Sequence, residues 1–219
     1  MIPLKDENPT KNFPQITIFL IILNTLIFLY QASQSIAPLA IFESYGLIPS
    51  HLMKSPVRAY PTIYSSMFLH SGLGHLFGNM LYLWIFGNNI EDVLGKFRFI
   101  IFYLVCGTIA SMGHILTDIQ SNIPMVGASG AIGGVLGAYL INHPKAKVLV
   151  LIPFGFFSQL VKIKSLYVLG FWFILQFISS GGGVAYAAHI GGFITGVILI
   201  LFFNKSVKKK YKNTKGPWD

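Results

Sequence analysis

Apolar residues run along this chain in extended blocks separated by short polar stretches. The blocks lie at about Gln15 to Tyr30, His75 to Ile90, Phe97 to Leu116, Ser129 to Ile141, Ser165 to Ser179 and Val184 to Phe203. A helix rises ~1.5 Å per residue and a bilayer's hydrocarbon core is ~30 Å thick, so blocks of this kind predict membrane-spanning helices. Lipid offers the backbone no hydrogen bonds, which favours helices, since they satisfy their own. The stretch Val148 to Val161 is interrupted by Pro153 and Gly155 and followed by Lys162 and Lys164. It reads as an interfacial or re-entrant piece ahead of the fifth span. The predicted architecture is an all-α membrane protein of six transmembrane helices. Residues 15–203 form one domain, between a short cytoplasmic tail at 1–14 and a basic cytoplasmic tail at 204–219.

Composition agrees with the bilayer as solvent. The chain is 53% hydrophobic and 11% charged, with mean hydropathy +0.64, against about 25% charged residues in a soluble domain. With the N-terminus inside, fourteen of the sixteen Lys and Arg fall on cytoplasmic flanks, and only Lys54 and Arg58 lie outside. That asymmetry puts both termini in the cytoplasm and accounts for most of the net charge of +9. The tail lysines from Lys205 onward adjoin a span, so they point to contact with anionic lipid, not nucleic acid. Met1 to Phe13 lacks a signal-peptide design and an Arg-rich presequence, which points to the cell membrane. The single cysteine, Cys106, excludes an intrachain disulfide and reads as a small buried residue.

Polar side chains inside these spans carry the chemistry. In this topology the second, fourth and sixth spans all run from outside to inside, so His75, Ser129 and His189 share the outer leaflet. The fourth span covers only about 20 Å of the core, which leaves Ser129 roughly 10 Å below the outer surface, and His189 falls at a similar depth. A lone serine in such a helix usually bonds back to a helical carbonyl, and a lone histidine usually packs. Here the two lie at matching depth, on helices whose small residues permit close approach: Gly130, Gly133, Gly134 and Gly137 on one, Gly191, Gly192 and Gly196 on the other. The arrangement fits nucleophilic catalysis, with His189 taking the Ser129 proton. Glu91 and Asp92 lie at the opposite end of the second span, where a salt bridge with Lys96 and Arg98 or a helix-end role is expected. That leaves a Ser-His dyad. His75 and Asn79, one turn apart on one face, and the Ser129 amide at a helix N-terminus are candidate donors to an oxyanion. His70 and His75 lack metal-site spacing or a matching carboxylate, so no metal is expected.

The motifs Gly127-Ala-Ser-Gly130, Ala188-His-Ile-Gly-Gly192, Phe68-Leu-His70 and His75-Leu-Phe-Gly-Asn-Met80, with Gly87, Glu91 and Gly95, resemble the rhomboid family of intramembrane serine proteases. The resemblance covers nearly the whole chain. It implies a six-helix bundle with a water-filled cavity open to the outer face and no cofactor. It further implies Ser129 as nucleophile, His189 as general base, and His75, Asn79 and the Ser129 amide as oxyanion hole. His70, Gly127, Gly130 and Gly192 are supporting residues, His70 by organising the neighbouring loop. The implied substrates are single-pass transmembrane proteins, cut within or beside the bilayer. Two positions depart from the pattern. Gly133 stands where many rhomboids place an aromatic against the base, so another ring such as Tyr186 is expected to hold His189. Arg58 lacks the tryptophan of a Trp-Arg pair in the first outer loop. Trp172, Phe173 and Phe177 on the fifth span could form a mobile wall for sideways substrate access. The rival reading is a catalytically inactive, client-binding member of the same fold; a transporter fits less well, because no broken-helix pair is evident.

Overall fold

The computed structural model describes residues 1–34, 38–154, 157–179 and 184–213. Strand β1 (Ile2–Asp6) leads to helix α1 (Gln15–Ser33). The first loop then folds into four short helices, α2 (Pro38–Tyr45), α3 (Pro49–Lys54), α4 (Pro56–Ala59) and α5 (Thr62–Ser65). Three of them begin on proline, whose missing N–H costs nothing in a first turn. Helix α6 (Leu73–Tyr82) continues through a wide π turn at Leu83–Gly87 into α7 (Asn88–Leu94), with helical dihedrals across both joins. Residues 73–94 are therefore one continuous rod. Gly95, at φ +75°, ends it in a conformation that a side chain would resist. Then follow α8 (Lys96–Ile115), α9 (Ser129–Asn142), strands β2 (Lys147–Phe154) and β3 (Phe157–Lys164), α10 (Ser165–Ile178) and α11 (Tyr186–Asn213).

Each of the six apolar blocks coincides with helix. Among the described residues, three helical segments are long and apolar enough to cross a membrane: α1, α8 and Tyr186–Phe203 of α11. α9 and α10 are shorter apolar helices. Helix α9 is the axis of the bundle, with every residue from Gly130 to Tyr139 buried. Its glycines meet α11 backbone to backbone. A Cβ on Gly192 would collide with the Gly130 carbonyl, one on Gly196 with the Gly134 carbonyl, and one on Gly137 with the Phe193 carbonyl. By contrast, α1 and α10 turn Phe19, Leu26, Leu29, Phe171, Ile174 and Phe177 outward, an apolar surface that suits lipid and not water.

The all-α expectation is corrected at two places. The stretch Val148 to Val161, expected as an interfacial or re-entrant piece, carries strand in place of helix: β2 and β3 pair antiparallel there. Residues 2–6, expected within a polar tail, add β1 to make a three-stranded sheet of order β1-β2-β3. The physical reason is the period-two alternation of a β-branched-rich run: Val148 and Val150 are fully buried while Lys147, Lys162 and Lys164 are exposed.

A polar network ties this sheet to the adjacent helix ends. Asp6 accepts from the Tyr139 hydroxyl (2.7 Å) and from Asn89 Nδ2 (2.8 Å). Glu91 accepts from the backbone N–H groups of Ile16 (2.9 Å) and Thr17 (2.8 Å), capping the start of α1. Asp92 accepts from the N–H groups of Lys11 and Asn12, each at 3.0 Å. Glu91 thus takes the helix-end role. Among the described residues neither acid pairs with Lys96 or Arg98; the ion pair formed is Glu7 with Lys162.

Candidate active site

Helices α6, α9 and α11 all begin at one cavity of about 700 Å³, lined by His75, Asn79, Ser129 and His189 together with Trp172 of α10. The four predicted polar residues are thus brought together, each within the first two turns of its helix.

Ser129 is the first residue of α9. Thr25, Thr108 and Thr195 each donate to the carbonyl four residues back, whereas the Ser129 hydroxyl has no partner among the described residues. Its position explains this, since a first-turn residue has no helical carbonyl behind it, and its own N–H is likewise left without an intrahelical partner. Gly127, at φ +125°, makes the turn into α9, and a Cβ there would sit 2.7 Å from both Cε1 and Nε2 of His75. The same point is 3.8 Å from Asn79 Nδ2, a buried donor with no protein partner. Nδ1 of His75 lies 3.0 Å from the Ser71 hydroxyl and 3.4 Å from the Ser71 N–H. A backbone N–H can only donate, so Nδ1 accepts and the His75 proton sits on Nε2, beside Gly127.

His70 serves the loop through its backbone. Its N–H donates to Gln31 Oε1 and its carbonyl accepts from Gln31 Nε2, both at 3.1 Å, a two-point clamp from the end of α1. The ring stands edge-on to His75 with centroids 5.1 Å apart. Burial, with His75 alongside, pushes the His70 imidazole down to about 4 and keeps it neutral.

His189 makes no hydrogen bond with Ser129. Its Nδ1 lies 2.8 Å from Oε1 of Gln176, and Gln176 Nε2 donates to the Trp172 carbonyl at 2.7 Å. The Trp172 ring lies against the imidazole at 5.6 Å and 34°; Tyr186, the ring expected there, stands edge-on at 6.4 Å. The glycine at position 133 has a steric reason, because a Cβ there would already be 3.0 Å from the His189 carbonyl. An aromatic on α9 would push the helices apart, and α10 supplies the ring instead. Gly130 is held similarly tightly, 2.6 Å from Ala110 Cβ once a Cβ is added. Sequence reasoning missed Gln176. The available signal was an amide in an otherwise apolar helix, where such groups are costly unless they have a task. No group of three His, Cys, Asp or Glu among the described residues is placed to hold a metal.

Comparison with known proteins matches residues 58–206 to the rhomboid domain. Rhomboid protein 1, mitochondrial, of Saccharomyces cerevisiae is 32% identical over 166 residues, which are 73% of this chain and 46% of that protein. Rhomboid protease GluP of Bacillus subtilis is 37% identical over 128 residues, 58% of this chain and 23% of that one. Putative rhomboid protease YdcA of the same bacterium is 30% identical over 143 residues, 65% and 67% respectively. The chain spans less than half the length of the first two.

Proposed function

The chain belongs to the rhomboid family, and from that premise we propose that it is an intramembrane serine endopeptidase cleaving single-pass transmembrane proteins within or beside the bilayer. The observation that carries this reading is the unpartnered Ser129 hydroxyl opening onto the cavity that His189 and the orphaned Asn79 amide also line. Ser129 Oγ attacks the scissile carbonyl while Nε2 of His189 takes its proton. The tetrahedral oxyanion receives hydrogen bonds from the Ser129 N–H, Asn79 Nδ2 and His75 Nε2–H. His189 then hands the proton to the leaving amine. Water, activated by the same imidazole, hydrolyses the acyl-enzyme and restores Ser129. No step calls for a cofactor.

The lysine asymmetry supports six crossings with both termini on the cytoplasmic side. In that orientation the cavity faces outward and holds the water that hydrolysis requires. Helix α9 is 14 residues long, about 21 Å, so it starts below the outer surface and sets Ser129 at a depth where a substrate helix can unwind. Catalytic hydrogen bonds are often open before substrate binds, and Ser129 and His189 close on each other as the substrate docks. The open dyad also favours the second reading, an inactive client-binding member of the family. Cleavage of a designed single-pass substrate in proteoliposomes separates the two. The protease reading expects wild-type protein to cut and Ser129→Ala and His189→Ala to fail. A folded wild-type protein that binds the substrate without cutting it supports the client binder.

A further inference from the structure

We propose that Gln176 is the positioning residue for the general base, a neutral third member that holds His189 in the catalytic tautomer; this rests on the protease reading. Gln176 is buried, 8% exposed, on a helix whose other late residues, Ile174, Phe177 and Ile178, face outward. Its amide is spoken for at both ends. Nε2 donates to the Trp172 carbonyl at 2.7 Å on its own helix, and Oε1 faces His189 Nδ1 at 2.8 Å. Reversing the amide would set two carbonyl oxygens against each other at the Trp172 end, so Oε1 is the atom that meets the imidazole. A carbonyl oxygen only accepts. Nδ1 of His189 therefore carries the proton, and Nε2 keeps the lone pair needed to take the Ser129 proton.

The proton balance is simple. Nδ1–H stays on His189 throughout. Nε2 gains the Ser129 proton, making an imidazolium whose charge strengthens the Nδ1–H···Oε1 bond, and loses it again to the leaving amine. The amide itself never gains or releases a proton. Trp172 acts with Gln176: its carbonyl fixes the amide and its ring, 5.6 Å from the imidazole, limits ring rotation. Base and acceptor lie on different helices, so the tautomer depends on α10 and α11 remaining packed.

The test is nitrogen-15 NMR of selectively histidine-labelled full-length protein in detergent, with His189 assigned by His189→Ala, alongside proteoliposome kinetics of Gln176→Leu and Gln176→Glu. Wild-type His189 is expected in the Nδ1–H form. Gln176→Leu should shift it toward the Nε2–H form and lower kcat on the order of tenfold to hundredfold, as when an imidazole loses its outer partner, with KM unchanged. Gln176→Glu keeps an acceptor oxygen for His189 but sets its second oxygen against the Trp172 carbonyl, so it should return the Nδ1–H tautomer and only part of the rate. An Nε2–H tautomer in the wild-type protein overturns the proposal without reference to any variant. So does a Gln176→Leu protein that keeps wild-type kcat, or a Gln176→Glu protein in which His189 stays in the Nε2–H form. A wild-type protein with the Nδ1–H tautomer but no cleavage contradicts the protease reading and leaves the hydrogen bond intact, so the two failures are distinguishable.

Discussion

At the scale of single residues, the site is defined by groups left without partners where partners are normally obligatory. Buried polar atoms are nearly always hydrogen-bonded, yet Asn79 Nδ2 has no protein acceptor and the Ser129 hydroxyl opens onto a cavity. A donor kept idle in the resting protein suits a negative charge that exists only during reaction. Asn79→Ala should therefore lower kcat about 10²-fold with little change in thermal midpoint, since no protein hydrogen bond is lost; cleavage kinetics with a melting curve check this. Equal loss of midpoint and activity would assign Asn79 to the scaffold instead. Ser129, His189, His75 and Asn79, which line one cavity, were already singled out by the sequence: Ser129 and His189 by their matching depth, Asn79 by its one-turn spacing from His75. Gln176 was not, because it lies near the end of the fifth span, where an isolated amide is equally at home in the interface.

Among the elements, the contact between α9 and α11 is the one on which the geometry of the proposed dyad depends. Glycine is needed there for space: at Gly192 and Gly196 a single added carbon meets the carbonyl of the facing helix. Gly170 on α10 has nothing within 4 Å of its would-be Cβ. The expected contrast is that Gly196→Ala destabilises by about 1–3 kcal/mol through overpacking. Gly170→Ala should be neutral or stabilising by up to about 1 kcal/mol through helix propensity. Unfolding in detergent measures both, and equal effects would contradict the close-approach account. Glycine spacing made this contact readable beforehand. The strands were not readable in the same way. Val148 to Val161 is apolar, interrupted by Pro153 and Gly155, and too short for its periodicity alone to separate strand from helix segment beforehand; the pairing of β2 with β3 and with distant Ile2–Asp6 resolves it.

Taken whole, the molecule is a bundle with the candidate site at one end and a sheet-and-carboxylate clasp at the other. Asp6 holds that clasp together, joining β1 to Asn89 of α7 and Tyr139 of α9. Asp6→Ala strands both donors and should cost about 1–3 kcal/mol. Burial raises the Asp6 carboxyl above its ordinary value, against the lowering effect of those two hydrogen bonds. A carboxyl raised by folding binds its proton more tightly in the native state. Wild-type stability should consequently rise relative to Asp6→Asn as pH falls through the raised folded value toward the unfolded one, about 3.9. Parallel pH titrations of the two unfolding midpoints read this directly, and a fall in the difference would contradict it. The clasp was only partly legible. Glu91 and Asp92 were expected to serve a helix end or a salt bridge, but their partners lie some eighty residues away in the N-terminal segment, a pairing no local pattern reveals.

The central claim is that Ser129 is an activated nucleophile inside the bundle. The most direct measurement is reaction of the purified, detergent-solubilised protein with a fluorophosphonate probe, followed by mass spectrometry to locate the adduct. The account predicts phosphonylation at Ser129, lost in Ser129→Ala and His189→Ala. A folded wild-type protein that takes up no probe, or takes it up at another residue, would contradict it.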